Sequence, residues 1–305
     1  MPELPEVESL RRSLLPYIIG QKILNIKILK PKLVSDKGTK RQISESKTVE
    51  FINELTNETI IEIKRIAKNL IFVFESKKIM IVHLKMTGQL VYKSNIDLSI
   101  NSGSQVVSGG HPIEESQSSL PHKHSHVIFT MENGVLYYND VRMFGYLLFY
   151  PNWETLENSE HFSNLGLDPF EPSFTLENFK VKIKTKKAKI KSVFLSQEVV
   201  IGLGNIYADE VCFAAKVRPD RNTDTLTESE IESIYLQIKR IMPLAVSLGG
   251  SSIANYLLAD GSRGNYAREH KVYNRSGEKC LICGHILEKM IINSRTTVYC
   301  PNCQN

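Results

Sequence analysis

Cys280-Leu281-Ile282-Cys283 and Cys300-Pro301-Asn302-Cys303 bracket a segment of β character near the C-terminus. Each Cys-x-x-Cys turn can place two thiolates on one ion, and a hairpin between the turns brings the pairs together. The spacing predicts a tetrahedral four-thiolate zinc site, with Gly284 easing the first turn. Redox pairs of the same spacing need a strand–helix–strand setting that is absent here. Four thiolates leave no open coordination position, so one structural Zn2+ is expected, holding a hairpin whose turn falls at Asn293-Ser294-Arg295-Thr296. An arginine at the tip of a rigid hairpin is a good probe for phosphate, although an exposed turn arginine is more often a solvated charge. The fifth cysteine, Cys212, lies in a helical apolar pattern and reads as core.

Upstream of a polar stretch at 259–278, helical spacing recurs at 175–185, 188–196, 206–216 and 228–246. A run of Thr, Glu and Ser opens the last of these, and Gly249-Gly250 stops it. The run Lys180-Val-Lys-Ile-Lys-Thr-Lys-Lys-Ala-Lys-Ile-Lys191 alone reads as a solvated helix face. It is followed by Gln197-Glu-Val-Val-Ile-Gly202-Leu-Gly204-Asn205-Ile-Tyr-Ala-Asp-Glu210, a turn with two glycines running into a helix, with Asn205 where an N-cap would sit. The first amides of that helix would be free to bind a DNA phosphate. Tyr207 fills the third glycine position of a dinucleotide fingerprint, which excludes that reading.

The N-terminal half differs. Residues 3–18 have helical spacing, ended by Gly20, and 20–92 read as β-rich, with short apolar runs at Leu70–Phe74 and Ile79–Leu84. Residues 93–125 are rich in Ser, Gly, Asn, Gln and His and read as a long, mobile loop. Strands resume at His126–Met131 and Val135–Tyr138, with Asn133-Gly134 as a hairpin signal. The expected layout is an N-terminal helix and β-rich domain over 1–150, a linker at 151–172, a helical domain over 173–270 and a zinc module over 271–305. No internal repeat is visible.

The 305 residues are enough for two domains each with a buried core, and 42% hydrophobic with 23% charged residues is an ordinary globular mix. Thirty-eight Lys and Arg against 33 Asp and Glu permit a polyanionic partner without requiring one. No stretch has the length of a membrane span, and Met-Pro-Glu-Leu-Pro-Glu lacks the character of a signal peptide, so cytoplasmic residence is expected. Pro2 follows Met1, whose removal would expose a secondary amine. An α-amino group titrates at about 7.7–8.0, far below lysine, and attack on a sugar C1′ would give an iminium directly. Glu3 beside it can shuttle protons. By themselves Met-Pro starts are common, and an acid at Glu3 is usually a helix N-terminal charge.

The opening Pro2-Glu-Leu-Pro-Glu-Val-Glu8 resembles that of the formamidopyrimidine-DNA glycosylases, whereas the related endonuclease VIII group usually opens Pro-Glu-Gly-Pro. Further similarity runs through Ala67-Lys68-Asn69-Leu70, His83-Leu-Lys-Met86-Thr-Gly88, Asp140-Val-Arg142-Met-Phe144-Gly145, Asn164-Leu-Gly166, Gly202–Tyr207 and the zinc segment, in the family's order over nearly the whole chain. The resemblance implies an α+β protein: an N-terminal helix with a β-sandwich, a helical domain with a helix-two-turns-helix unit, and a zinc-finger hairpin. It implies a base-excision-repair glycosylase and abasic-site lyase for oxidised purines such as 8-oxoguanine and formamidopyrimidines. The partner would be damaged double-stranded DNA, met by a monomeric protein associated with the nucleoid.

By the same resemblance Pro2 is the Schiff-base nucleophile, Glu3 a proton donor, Lys68 a catalytic lysine touching phosphate, and Arg295 the clamp on phosphates flanking the lesion. His124, Arg142, Asn205 and Lys186, or its neighbour Lys187, match DNA contacts. Met86, Arg142 and Phe144 match the trio that fills the gap left by an everted base, and residues 251–270 the loop that closes over it. The chain departs from the pattern in its long 93–125 segment, which leaves His122 and His126 as alternatives to His124, and in Ser294, where the family usually has glycine. The alternatives are an endonuclease VIII-like activity on oxidised pyrimidines, or an inactive DNA-binding zinc protein.

Overall fold

The computed structural model describes residues 2–37, 40–95, 106–110, 120–251 and 264–305. It divides into two compact units. The first comprises Met1–Pro2, Glu6–His161 and Ser251–Gly264, and the second Glu3–Pro5, Phe162–Gly250 and Asn265–Asn305.

In chain order the first unit carries α1 (Leu4–Ile18, from Glu6 onward), β1 (Ile23–Ile28), α2 (Lys32–Ser35), α3 (Glu45–Leu55), β2 (Ile60–Ile66), β3 (Asn69–Phe74), β4 (Ile79–His83), β5 (Gly88–Ser94), β6 (Val106–Gly110), β7 (Ser125–Met131), β8 (Gly134–Asp140), β9 (Tyr146–Tyr150) and α4 (Trp153–Glu157). Two antiparallel sheets form, ordered β1-β7-β8-β5-β6 and β2-β3-β4-β9. Alternation decides which side chains enter the core. Leu70, Phe72 and Phe74 of β3 join Met80 and Val82 of β4, Leu90 and Tyr92 of β5 and Phe129 of β7 in one apolar cluster shared by both sheets. Val7, Leu10, Leu14 and Ile18 place the apolar stripe of α1 in that same cluster, so the helix and the sandwich share a core. Gly20 closes α1 at φ +81°, where a side chain would be strained.

Three sequence readings need correction here. The stretch 20–92 is not uniformly β, because α2 and α3 interrupt it. Only Phe51 and Leu55 of α3 are buried, so its apolar stripe is too sparse to stand out. The 93–125 segment is not all loop: β6 pairs with β5 across Gln89↔Gly110 to Lys93↔Val106. The remainder of that expected loop, at 96–105 and 111–119, lies outside the described residues. The β7–β8 hairpin forms as expected, but Met131 faces Gly134, so its turn is Glu132-Asn133. Gly134 has another role: a Cβ there would lie 2.5 Å from the Tyr92 hydroxyl.

The second unit carries α5 (Leu176–Lys184), α6 (Ile190–Ser196), α7 (Asn205–Ala214), α8 (Glu228–Ser247), β10 (Glu288–Ile292) and β11 (Arg295–Tyr299). A reciprocal capping box of Thr227 with Glu230 starts α8, and Gly249 and Gly250, at φ +76° and +79°, end it. The core is built from Phe179, Phe194, Leu203, Tyr207, Val211, Ile234 and Ile238, with Leu4 among them. Cys212 is fully buried, as its apolar surroundings in the sequence suggested.

In the first unit, Glu8 binds three guanidinium groups: Arg11 and Arg12 at 2.8 Å and Arg65 at 3.3 Å. Burial alone would push this carboxyl up. Hydrogen bonds from Arg11 and Arg12 and the charges of Arg11 and Arg65 outweigh burial and hold it at about 2, below the ordinary 4.5. Because the folded value is depressed, the stabilisation is complete above about pH 4.5 and fades as the pH falls through about 2. Amide exchange in α1 and β2 should therefore accelerate over that window. Glu8→Gln should flatten the response, and an unchanged acid limb in the variant would exclude this network as its source.

Candidate catalytic and nucleic-acid-binding site

Glu3 is 3% exposed, and its carboxylate sits on the N-terminus of α7. It accepts the amides of Gly204 at 2.7 Å and Ile206 at 2.9 Å, with Tyr207 further out at 3.4 Å. This corrects the reading of those amides as a free phosphate site: an acid of the chain itself takes them. Asn205 is not the N-cap either. It is the first helical residue, and the cap is Gly204, which has no side chain to contribute. Both glycines are explained by this approach. A Cβ on Gly204 would lie 2.4 Å from the Glu3 carboxyl carbon, and one on Gly202 2.3 Å from the Leu4 side chain. The amide of Leu4 also donates to the carbonyl of Gly202 at 3.1 Å.

The zinc module follows its predicted geometry. The four cysteine sulfurs lie within 4.8 Å of one another. Cys280 and Cys303 are 3.9 Å apart and Cys283 and Cys300 3.5 Å apart. Tetrahedral Zn–S bonds of about 2.3 Å require sulfurs about 3.8 Å apart, so the donor set fits one zinc ion. The hairpin between them turns more tightly than expected: Ile292 faces Arg295, leaving Asn293 and Ser294 as a two-residue turn with φ +49° and +57°. Such a turn favours Asn followed by Gly, and Ser294 accepts the second left-handed position at some cost. Arg295 then opens β11, exposed.

A buried ion pair holds this hairpin. Lys191 and Asp209 are both 0% exposed and meet at 2.6 Å. Lys191 Nζ also donates to the carbonyl of Thr296 at 3.3 Å, and the second oxygen of Asp209 accepts the amide of Val298 at 3.0 Å. Burial pushes Asp209 up to about 7, against the pull of Lys191 and of the Val298 amide. Glu210, next in the helix, accepts the amides of Lys271, Val272 and Tyr273. The lysine run is therefore not all solvated: Lys191 is core. Lys184 and Lys180 pair with Glu228, and Lys186 pairs with Glu198, while Lys187 is exposed. Asn205 donates to the carbonyl of Thr296 at 3.1 Å. It lines a cavity of about 240 Å³ with Tyr273, Asn274, Ser276, Lys289, Thr296 and Val298.

In the first unit Pro2 is buried. Lys68, 7% exposed, is the second residue of the tight Ala67-Lys68 turn between β2 and β3, with Ala67 at φ +53°. Arg65, bound to Glu8, donates to the carbonyl of Ala67 at 3.3 Å and so steadies that turn. Met86 converges with the Arg142–Phe144 pair although far from it in sequence. Arg142 Nη1 lies 3.3 Å from Met86 Sδ, and the guanidinium stacks 4.5 Å from the centre of the Phe144 ring. His124 is half-buried in the turn before β7, its amide on the ring of His122 at 3.1 Å, whereas His126 is buried against the carbonyl of Asp140 at 2.9 Å. The expected capping loop falls largely on 252–263, outside the described residues. Sequence reasoning missed Lys191, Asp209 and Glu210. The available signal was three charged residues within otherwise apolar helical faces.

Three family models match the chain: the formamidopyrimidine-DNA glycosylase N-terminal domain over residues 1–147, its H2TH domain over 165–256, and the zinc finger found in FPG and IleRS over 277–305. Formamidopyrimidine-DNA glycosylases of Desulfitobacterium hafniense and Listeria innocua are each 35% identical, with both chains fully covered. Among solved structures, the wild-type Lactococcus lactis Fpg in complex with a N7-benzyl-Fapy-dG containing DNA aligns at TM-score 0.82 and 34% identity over all of both chains. The Lactococcus lactis Fpg with an abasic site containing DNA aligns at 0.83 and 33% over 99% of each. Fold and site thus define a zinc-finger DNA repair glycosylase. The chain belongs to the formamidopyrimidine-DNA glycosylase family. Among the described residues no helix is long and apolar enough to cross a membrane.

Two measurements check the hairpin anchor. Asp209→Ala strands the Lys191 charge and should cost about 3–5 kcal/mol of stability, seen as a lowered melting midpoint; adding Lys191→Met should recover much of it. Ser294→Gly should stabilise the hairpin by about 1 kcal/mol, slowing zinc loss to a chelator, and faster loss would contradict the assigned turn.

Proposed function

We propose that the chain is a bifunctional glycosylase and abasic-site lyase that removes oxidised purines from double-stranded DNA, with Pro2 as nucleophile. The observation that carries the reading is the anchoring of Glu3, which fixes the residue before it in place. Removal of Met1 frees the Pro2 nitrogen. Its lone pair attacks C1′, the C1′–N9 bond breaks and the base leaves with a proton; the C1′–O4′ bond then opens, O4′ taking a proton, and an iminium forms between C1′ and the Pro2 nitrogen. The resulting iminium acidifies the C2′ proton; its loss expels the 3′ phosphate, and a second elimination expels the 5′ phosphate. Glu3 lies next to the nucleophile and serves as its proton carrier.

The remaining roles divide between grip and exchange of the base. Lys68, His124, Lys186, Asn205 and Arg295 bind phosphates, which position DNA without reading its sequence. The polar cavity beside Asn205, with Tyr273, Ser276 and Lys289 on its wall, supports one such contact. Met86, Arg142 and Phe144 occupy the space of the everted nucleotide, offsetting a few kcal/mol of lost stacking; their mutual contact supports this use. Zinc, held by Cys280, Cys283, Cys300 and Cys303, keeps the hairpin of Arg295 rigid, and its four thiolates leave it no open position for chemistry. The protein acts as a cytoplasmic monomer, with domains over 1–150, 173–270 and 271–305 joined by a linker at 151–172.

Borohydride trapping on an 8-oxoguanine duplex tests the nucleophile. The unaltered chain should form a covalent adduct and Pro2→Gly little or none; undiminished trapping would refute the assignment. Intact mass should show Met1 removed. Faster excision of thymine glycol than of 8-oxoguanine would move the substrate to oxidised pyrimidines.

A further inference from the structure

Arg142 and Phe144 stand on a loop whose backbone is held from beneath by three side chains. Asp140, 0% exposed, accepts the amides of Arg142 at 3.2 Å and Gly145 at 2.8 Å, and the hydroxyl of Thr87 at 2.5 Å. The Thr87 oxygen in turn accepts the Arg142 amide at 3.0 Å. From the segment before α3, Arg41 Nη2 donates to the carbonyls of Met143 at 2.9 Å and Gly145 at 2.6 Å. Met143 is left-handed, at φ +53°, a conformation that needs outside support. Gly145 is forced, since a Cβ would lie 1.8 Å from the Tyr138 hydroxyl. Thr87 also adjoins Met86, so one network ties down both strips of chain that carry the trio.

We propose that Arg41, Thr87 and Asp140 are positioning residues that preform the wedge inserted into DNA. A loop ordered in advance loses no entropy when it enters the stack, and its side chains arrive in register with the gap. The planar guanidinium of Arg41 suits this use: Nη2 reaches both loop carbonyls while Nη1 donates to the carbonyl of Asp36 at 3.2 Å, a fork that a single ammonium nitrogen does not offer. The inference rests on the reading of Met86, Arg142 and Phe144 as the groups that replace the everted base.

Full-length, zinc-loaded protein can be mixed in stopped flow with a duplex carrying 8-oxoguanine beside 2-aminopurine, whose fluorescence reports unstacking. Cleavage of a preformed abasic duplex, which has no base to evert, is measured in parallel. Thr87→Val and Arg41→Met should slow unstacking and excision about ten- to hundredfold. Abasic cleavage should fall less than about threefold, and Thr87→Ser, which keeps the hydroxyl, should stay within about threefold on both substrates. Equal losses on both substrates would reduce the three to general scaffolding and overturn the proposal, as would normal unstacking in both variants while Arg142→Ala abolishes it. If Arg142→Ala itself unstacks normally, the wedge reading falls, and the proposal with it.

Discussion

The N-terminus of α7 is filled by the chain's own acid. Glu3 takes the amides of Gly204 and Ile206, and much of the second unit follows from that contact. It requires glycine at 202 and 204, because any side chain there would collide with Leu4 or Glu3. It draws Leu4 into the apolar core of that unit. It also pins the residue following Pro2. A helix end that suggests an anion site in outline thus serves to hold Glu3.

The same device recurs at four other acids. Glu6 accepts the amide of Ser251, Asp140 those of Arg142 and Gly145, Asp209 that of Val298, and Glu210 those of Lys271 to Tyr273. Backbone donors without a ladder partner are costly to bury, and a carboxylate oxygen pair can satisfy two or three of them. Such segments adopt conformations a sheet or helix would forbid. Buried acids let them do so and still be rigid. Lys191 extends the scheme by neutralising Asp209 and reaching the hairpin carbonyl itself.

Much of the architecture is legible along the chain. The stripe Val7, Leu10, Leu14, Ile18 marks α1, the apolar runs mark β3 and β4, and the caps at Thr227 and Gly249 bound α8. The missed elements share a cause. α3 buries few side chains, and β6 is a short strand inside a polar segment, so each depends on a partner distant in sequence. Turn positions slip by a residue for a similar reason. Gly134 is needed for the room beside Tyr92, a constraint invisible in a local search for turn chemistry.

The amino-acid sequence alone determined the zinc ligands, the helical and β-rich divisions of the chain and the residue types at its terminus, because these depend on short spacings and local periodicity. Tertiary structure decided what occupies the α7 amides, which lysine of a run is buried, and how Thr87, Asp140 and Arg41 meet beneath one loop. Those outcomes turn on hydrogen bonds and charge pairs between residues far apart in the chain, whose partners exist only once the backbone has closed around them.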